Sequence, residues 1–210
     1  VNISTHTACY EILTEDTGHV KAVRLADGTK LMCQLVLVGI GVIPDVYLAK
    51  KAGLALNNGI VVSASYRSHD PAIWAIGDVA NAPDRYELRI ESIHHAQLSA
   101  QIAAADMLGT KIPTHEASWF WSDQYDVKFQ IAGMLPSAQD GELKHVSRAG
   151  QRENSLSIWS WYESKLVTVE AANDGQAYMV EKKCLEAGLS PDPADIEDPQ
   201  FALKTLLSLV

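Results

Sequence analysis

Two neighbouring residues, Gly77 and Asp78, have the types and the position that ligand chemistry requires, because they directly follow a short apolar segment at 72–76. Glycine lets a bulky ligand approach the backbone, and a carboxylate offers two acceptor oxygens to the hydroxyls of a sugar or ribityl chain. A predicted helix begins near Glu91 and Ser92, and the start of a helix carries free N–H groups and partial positive charge. A flavin fits all three features, since it has a polyol chain and a ring that gains negative charge on reduction. The Gly-Asp pair alone is also typical of an ordinary turn.

A second glycine-containing segment, Gly39-Ile40-Gly41, follows the apolar run at 35–38. A continuous run of this kind predicts a strand that is buried on both faces. Small residues at the end of such a strand permit a ligand to approach closely, and a tight turn without a ligand is the alternative. Pro44 then marks the crossover into another domain.

An aromatic run at 119–125 and two adjacent histidines are further candidates. Two tryptophans around a phenylalanine usually pack in a core, which is the interpretation that the residues alone favour for Trp119 and Trp121. His94 and His95 would point about 100° apart on a helix, so they cannot both face one ligand. Because no second histidine or carboxylate stands at a ligand spacing, the sequence predicts no metal site.

The composition is that of a soluble protein, with 47% hydrophobic and 20% charged residues. No apolar run approaches the roughly 20 residues that cross a bilayer, and no secretory leader is recognised, so a cytoplasmic protein without a membrane partner is expected. A formal charge of −9 argues against nucleic acid as a partner. A small basic patch is compatible with this charge, and scattered solvated cations are the alternative for its four candidates, Arg85, Arg89, Lys182 and Lys183.

The three cysteines, Cys9, Cys33 and Cys184, are far apart and include no Cys-x-x-Cys pair. Neither a zinc site nor a redox-active disulfide is therefore predicted. Each cysteine is interpreted as a small buried hydrophobe.

The elements that position the candidate residues are short strands and a few helices. Asp27-Gly28 predicts a hairpin turn, and Gly53, Gly109 and Gly188 predict helix ends. Strands are predicted at 8–14, 20–25, 60–65, 72–76, 127–131, 156–161 and 166–172, and helices at 45–53, 91–108 and 177–187.

Five motifs occur in one order along the chain: VGIGVIP at 38–44, NGIVV at 58–62, IGDVA at 76–80, RIES at 89–92 and WFWSDQY at 119–125. In this order the chain resembles the second half of an FAD-dependent, NADH-oxidising ferredoxin reductase, a family that supplies electrons to the ferredoxins of cytochromes P450 and aromatic-ring dioxygenases. The resemblance covers essentially the whole chain, and WFWSDQY is its most specific motif.

The resemblance implies an α/β plus α+β fold in three parts. Residues 1–41 would end an NAD(P)H-binding domain, residues 42–112 would form the returning half of a Rossmann-like FAD domain, and residues 113–210 would form a C-terminal α+β reductase domain.

The resemblance also implies roles for individual residues. Gly77 and Asp78 would bind the ribityl or phosphate part of FAD, and Ser92 and Ile93 would present the helix start to the flavin pyrimidine. Gly39, Ile40 and Gly41 would lie beside the nicotinamide of NADH. Trp121 would line the flavin and face the ferredoxin, with Trp119 as a weaker candidate. His95 departs from the family, which usually has asparagine there, and would be a flavin-side substitution. No residue of the chain is predicted to be catalytic.

The resembled reductases pass electrons from NADH through FAD to a [2Fe-2S] ferredoxin, but they are about twice as long as this chain. The Gly-x-Gly-x-x-Gly loops for the two dinucleotides do not occur in the sequence. The chain is therefore expected to be a fragment that binds FAD weakly and does not turn over NADH. A rubredoxin reductase is an alternative within the class. A non-catalytic interaction or dimerisation module is an alternative outside it, and homo-oligomers through exposed half-domain surfaces are expected.

Overall fold

The computed structural model describes residues 1–86, 88–113, 116–136 and 141–210. The chain folds as two compact units, Val1–Ile43 and Pro44–Val210. The three-part division, including its boundary near residue 112, stays a prediction.

The first unit is a three-stranded antiparallel sheet of β1 (Cys9–Thr14), β2 (Val20–Leu25) and β3 (Lys30–Met32), in that order. Gly28, at φ +89°, makes the tight turn between β2 and β3, where the Leu25 N–H donates to the Thr29 carbonyl over 2.9 Å. The two strands and the hairpin turn that the sequence predicted in this region are confirmed.

The strand predicted at 35–38 is wrong. These residues have no strand pairing, and Leu35 and Leu37 are 82% and 94% exposed. An apolar run forms a buried strand only when a neighbouring strand and a covering layer are present. Among the described residues, the first unit provides neither at this position.

The second unit begins with short elements: α1 (Tyr47–Lys51), β4 (Ile60–Val61), a 3₁₀ turn (Gly77–Val79) and β5 (Ala80–Asn81). β4 and β5 pair in parallel. The strand predicted at 60–65 is thus only two residues long, and residues 72–76 are not a strand. Within this segment only Trp74 forms a β-bridge, and its partner is Arg67. The pairing stays this short because tight turns precede the segment and the Ala75 N–H donates back to the Tyr66 carbonyl over 3.0 Å.

The long helix α2 (Ile93–Leu108) supports this region. The helix starts close to the predicted position near Glu91 and Ser92, and Ser92 caps its first turn. Gly109, in the left-handed conformation, ends the helix, as the sequence predicted. Leu98 and Ile102 are buried on the face that packs against the short strands, with Tyr66, Val62 and Ala80.

The C-terminal part of the second unit is a five-stranded antiparallel sheet in the order β6-β7-β10-β9-β8. Strands at 127–131, 156–161 and 166–172 were predicted, whereas β6 and β8 were not. The strands are β6 (Trp119–Gln124), β7 (Val127–Gly133), β8 (Leu143–Ala149), β9 (Leu156–Tyr162) and β10 (Lys165–Ala172).

Two helices and a terminal 3₁₀ segment complete this part: α3 (Gly175–Ala187), α4 (Pro193–Glu197) and Leu203–Ser208. Trp159, Trp161 and Val169 form the centre of the core, together with the buried faces of these segments. Within the described ranges, no helix combines the length and apolar character that a bilayer crossing needs.

The cysteines differ in their environments. Cys184 is buried, Cys33 is half-buried and Cys9 is exposed. The interpretation of all three as buried hydrophobes is therefore wrong for Cys9, which lies at the start of an edge strand with little packed over it.

Candidate functional site

The Asp78 turn, defined as Gly77–Val79, is held against α2 through its first residue. The Gly77 N–H donates to Ser99 Oγ over 2.9 Å, and that hydroxyl donates to the Ala96 carbonyl over 3.0 Å. Gly77 has φ +67°, and a Cβ at this position would touch only Ala96 Cβ, at 3.7 Å. The Asp78 side chain is exposed, so its carboxylate is free to accept hydrogen bonds from a ligand.

The start of α2 offers donors beside this turn. Ser92 Oγ accepts the N–H of His95 over 3.0 Å, which leaves the N–H groups of Ile93 and His94 without partners inside the helix. Ile93 is 57% exposed. These donors and the helix dipole favour electron-rich ligand atoms at this helix start.

His95 points away from solvent into a buried aromatic cluster. Its Nε2 lies 3.0 Å from Tyr66 Oη, and its ring meets the Tyr86 ring edge-on at 5.7 Å. Burial lowers the pKa of His95, although the Asp78 carboxylate opposes this shift, and burial raises the pKa of Tyr66. The pair therefore stays neutral at physiological pH, and His95 Nε2 is already engaged by protein.

His94 points in a different direction, as expected for adjacent helical residues, and joins α2 to the aromatic run. Its Nε2 lies 3.3 Å from Glu116 Oε2, and its ring centroid is 5.3 Å from that of Trp119. The Trp119 ring is in turn 5.3 Å from the Trp121 ring, which is 41% exposed. The structure thus brings the helix start and the aromatic run together, as the flavin-site hypothesis requires.

The four cations that the sequence left open as a basic patch or as scattered charges make local contacts. Arg89 has a side chain only 6% exposed, and Arg85 donates to the Ala64 carbonyl over 3.1 Å. Lys182 is paired with Glu186 at 2.7 Å. These cations serve local contacts, which sequence spacing alone does not reveal, and Lys183 is the most exposed of the four.

The nicotinamide candidates Gly39, Ile40 and Gly41 lie in the first unit and are exposed. Gly41 has φ +90°, which suits a tight turn. Their role beside a nicotinamide stays a prediction.

Several residues of the site were not identified from the sequence. Tyr66 is 29 positions from His95 and carries no local signal. Ser99 and Glu116 do not belong to a recognisable motif, so the sequence does not mark them as residues of the site. Arg89 was named only as a candidate surface cation, although it stands two residues from Glu91 in a motif already singled out.

One cavity of the second unit, about 620 Å³, is lined by none of the predicted flavin-site residues. Its walls come from the segment around Arg85 and Tyr86, the end of β7 and the end of α3. In the part of the chain that the structure describes, no three His, Cys, Asp or Glu side chains come together as a metal site.

The donors and acceptors present fit one side of a flavin. Asp78 provides an exposed acceptor for hydroxyls, the start of α2 provides N–H donors, and Trp121 provides an exposed aromatic face. A dinucleotide fingerprint for the pyrophosphate does not occur in the sequence. The arrangement therefore matches the hydrogen-bonding groups of a flavin ring and its ribityl chain, and it does not include a dinucleotide phosphate loop.

Comparison with known proteins identifies the families that this chain resembles. Residues 1–100 match the family described as pyridine nucleotide-disulphide oxidoreductase, and residues 119–207 match the family described as reductase C-terminal. The crystal structure of a ferredoxin reductase for the CYP199A2 system from Rhodopseudomonas palustris is 36% identical, with a TM-score of 0.84, over 95% of this chain and 49% of that one.

Two further similar proteins are named for their electron carriers. The covalent putidaredoxin reductase–putidaredoxin complex is 30% identical with a TM-score of 0.85, over 97% of this chain and 49% of that one. Rubredoxin–NAD(+) reductase from Pseudomonas putida is 35% identical over 159 residues, which are 74% of this chain and 40% of the relative. The chain spans about half the length of the curated relatives it matches. The predicted α/β plus α+β fold class is confirmed.

Proposed function

This chain belongs to the ferredoxin reductases within the pyridine nucleotide-disulphide oxidoreductase family, and on that premise we propose that it supplies one half of an FAD-dependent NAD(P)H:ferredoxin reductase. The whole enzyme would take electrons from NADH and pass them through FAD to a [2Fe-2S] ferredoxin that serves an oxygenase or a cytochrome P450. The chain would contribute residues 1–41 to the NAD(P)H domain, 42–112 to the FAD domain and 113–210 to the reductase domain.

A single juxtaposition carries the proposal. The Gly77–Ser99 hydrogen bond of 2.9 Å holds the Asp78 turn against α2, and ring contacts of His94 join the first turn of that helix to Trp119 and, through it, to Trp121. These contacts link, within the second unit, one group able to bond a ribityl chain, one able to stabilise negative charge and one aromatic face, and this linkage supports the proposal.

Each part of this arrangement has a distinct task in the proposed enzyme. Asp78 accepts hydrogen bonds from ribityl hydroxyls and orients the chain of the cofactor. The N–H groups of Ile93 and His94 stabilise electron density on the pyrimidine side of the ring. Gly77 has no side chain, so the flavin can approach the backbone closely at that position. Trp121 shields the ring from water and contacts the ferredoxin. When bound, FAD supplies the hydride and single-electron chemistry, and the protein supplies position and electrostatics.

The chain alone would bind FAD weakly and would not oxidise NADH, because it contains no Gly-x-Gly-x-x-Gly loop. Such a loop holds the pyrophosphate of a dinucleotide at a helix N-terminus. Without it, only the ribityl and ring contacts remain.

A titration of the chain with FAD, followed by tryptophan fluorescence, tests the site. Saturable quenching is expected, because the ring would stack near Trp121. Replacing Asp78 by alanine should weaken the apparent affinity about tenfold through the loss of hydrogen bonds to a charged acceptor. The matched control is Asp126→Ala, which removes an exposed aspartate from the β6–β7 turn and should leave the affinity unchanged. Absence of saturable quenching, or equal affinities for the two variants, would contradict the proposal.

A rubredoxin in place of a ferredoxin is the second candidate acceptor, because a rubredoxin reductase is as similar to this chain as the ferredoxin reductases are. Rates of electron transfer from the full-length reductase to the two acceptors separate the candidates. Faster electron transfer to the ferredoxin is expected, and equal rates with the two acceptors would contradict this preference.

A further inference from the structure

Arg89 occupies an unusual position for a charged residue, because it lies beneath the surface between the two halves of the candidate flavin site. Its side chain is 6% exposed. One terminal nitrogen, Nη1, donates to the backbone carbonyl of Asp78, and the other, Nη2, donates to the carboxylate of Glu91. Arg89 therefore touches both the Asp78 turn and the residue that immediately precedes the Ser92 cap of α2.

The fold makes room for this guanidinium at Gly59. A Cβ on that residue would lie 2.8 Å from Arg89 Cδ and 2.7 Å from the Val79 carbonyl oxygen, both closer than real contacts allow. Gly59 also has φ +131°, which side-chain-bearing residues rarely adopt. The loop containing Gly59 thus closes directly over the Arg89 stem.

The contacts of Arg89 hold the Asp78 carbonyl and the Glu91 carboxylate at a fixed distance from each other. A guanidinium is planar and presents its donors in a rigid fork, so two acceptors bound to its two ends are held at a fixed separation. Arg89 Nε is buried and has no hydrogen-bond partner. Burying this polar group costs folding free energy, so a contribution to stability alone does not explain the position of the side chain. The turn has a second tether to α2 at Ser99, more than one helical turn further along. Two tethers fix both the distance and the direction of the turn relative to the helix.

We propose that Arg89 is a positioning residue that sets the spacing between the Asp78 turn and the N-terminus of α2. Through this spacing it determines how a bound ligand meets the acceptor and the donors together. The identity of that ligand as a flavin rests on the proposed function, whereas the spacing role does not. Arg89 is consequently not a surface cation for a partner protein.

Hydrogen exchange of two backbone amides reports on this spacing without any flavin. The Gly77 amide is bonded to Ser99 Oγ, and the His95 amide is bonded to Ser92 Oγ. The variants are Arg89→Met, which keeps the stem and removes both donors, and Arg89→Lys, which keeps the charge with a single donor centre. The control is Arg67→Met, because Arg67 also donates two hydrogen bonds to one carbonyl, that of Pro71, which belongs neither to the Asp78 turn nor to α2.

In Arg89→Met, exchange at Gly77 and His95 should accelerate at least about tenfold, as expected when a charge-assisted hydrogen bond is lost and the segment opens locally. Exchange at Ile102, in the core of α2, should stay unchanged. Arg89→Lys should give intermediate rates, and Arg67→Met should match the wild type at both reporter amides.

Two results would overturn the proposal. Unchanged exchange at Gly77 and His95 in Arg89→Met would show that Arg89 does not hold the spacing. Equal acceleration at Ile102 would show that it only stabilises the unit as a whole. If Arg89→Met fails to fold, Glu91→Ala serves instead, since it removes the acceptor of Arg89 Nη2 just before the helix start. It should accelerate exchange at His95 while leaving Ile102 unchanged, and an unchanged His95 rate there would equally overturn the proposal.

Discussion

Glu181 is a carboxyl group that the fold keeps in its neutral form. It lies on α3 with no exposed surface, and neither of its oxygens has a hydrogen-bond partner. Burial raises the pKa of Glu181 well above its usual value of 4.5, and the nearby Asp174 carboxylate adds to the shift. An ionised carboxylate would be costly at this position, so the folded state retains a proton that the unfolded state releases.

The consequence is a stability that falls as pH rises. Below the usual pKa both states are protonated and Glu181 has no effect, whereas above it the unfolded state loses its proton first. Between the unfolded and folded pKa values, the free energy of unfolding should decrease by about 1.4 kcal/mol per pH unit from this group. Urea denaturation of wild type and Glu181→Gln at several pH values measures this. The difference between the two should grow with pH from about 5 upward.

The matched control for this prediction is Glu170→Gln, which changes an exposed glutamate on β10. Its stability should follow that of the wild type at every pH. Parallel curves for wild type and Glu181→Gln would contradict the assignment of a neutral Glu181.

Among individual residues, the sequence predicts those whose role is local. The helix start near Ser92, the different directions of His94 and His95, and the ends at Gly109 and Gly188 follow from positions within one helix. The Tyr66–His95 contact joins residues 29 positions apart, and Arg89 is buried only because a loop closes over it. Such pairings depend on tertiary packing, which local patterns do not encode.

At the scale of elements, Arg148 on β8 connects the sheet to the segments that follow α3. Its guanidinium donates to the carbonyls of Ile196, Asp198 and Phe201 at 2.8, 2.7 and 2.7 Å. These carbonyls end α4 and begin the last segment of the chain, so one side chain holds both against the sheet.

Replacing Arg148 by methionine should lower the free energy of unfolding by about 2 kcal/mol or more, because several hydrogen bonds from a charged donor are lost. Guanidinium denaturation followed by tryptophan fluorescence measures the loss. The control is Arg152→Met, at an exposed position in the turn after β8, which should change the stability by less than about 0.5 kcal/mol. A similar loss in both variants would show that Arg148 is not a specific connector.

The elements that were predicted correctly share strong local signals. α2 and α3 are long segments closed by glycine, and β7, β9 and β10 alternate or combine apolar and β-branched residues. β8 is missed because its seven residues include two basic side chains and a histidine and bury only Val146. The segment at 35–38 shows the converse error, since apolar residues do not form a strand without a partner.

At the scale of the whole molecule, the first unit exposes many large apolar side chains. Leu37, Ile40 and Ile43 are almost fully exposed, and they lie on one continuous segment. Contiguous apolar surface of this kind, together with an open strand edge, promotes association.

The chain should therefore form oligomers at micromolar concentration, and light scattering measures their mass. A double replacement of Leu37 and Ile40 by lysine should shift the distribution toward the monomer, because it breaks the apolar segment with charge. Replacing Lys50 and Lys51 on α1 by glutamine, at exposed positions of the other unit, should leave it unchanged. A monomeric wild-type chain would contradict this prediction.

The account as a whole depends on the Asp78 turn and the start of α2 forming one side of a flavin site. Hydrogen exchange of the chain with and without FAD tests this most directly, because it locates the bound cofactor on the backbone. At FAD concentrations about ten times the dissociation constant, exchange at the amides of Ile93 and His94 should slow about tenfold, while the amide of Val169 in the C-terminal sheet should be unaffected. Unchanged exchange at Ile93 and His94, or protection confined to other segments, would contradict the assignment of the site.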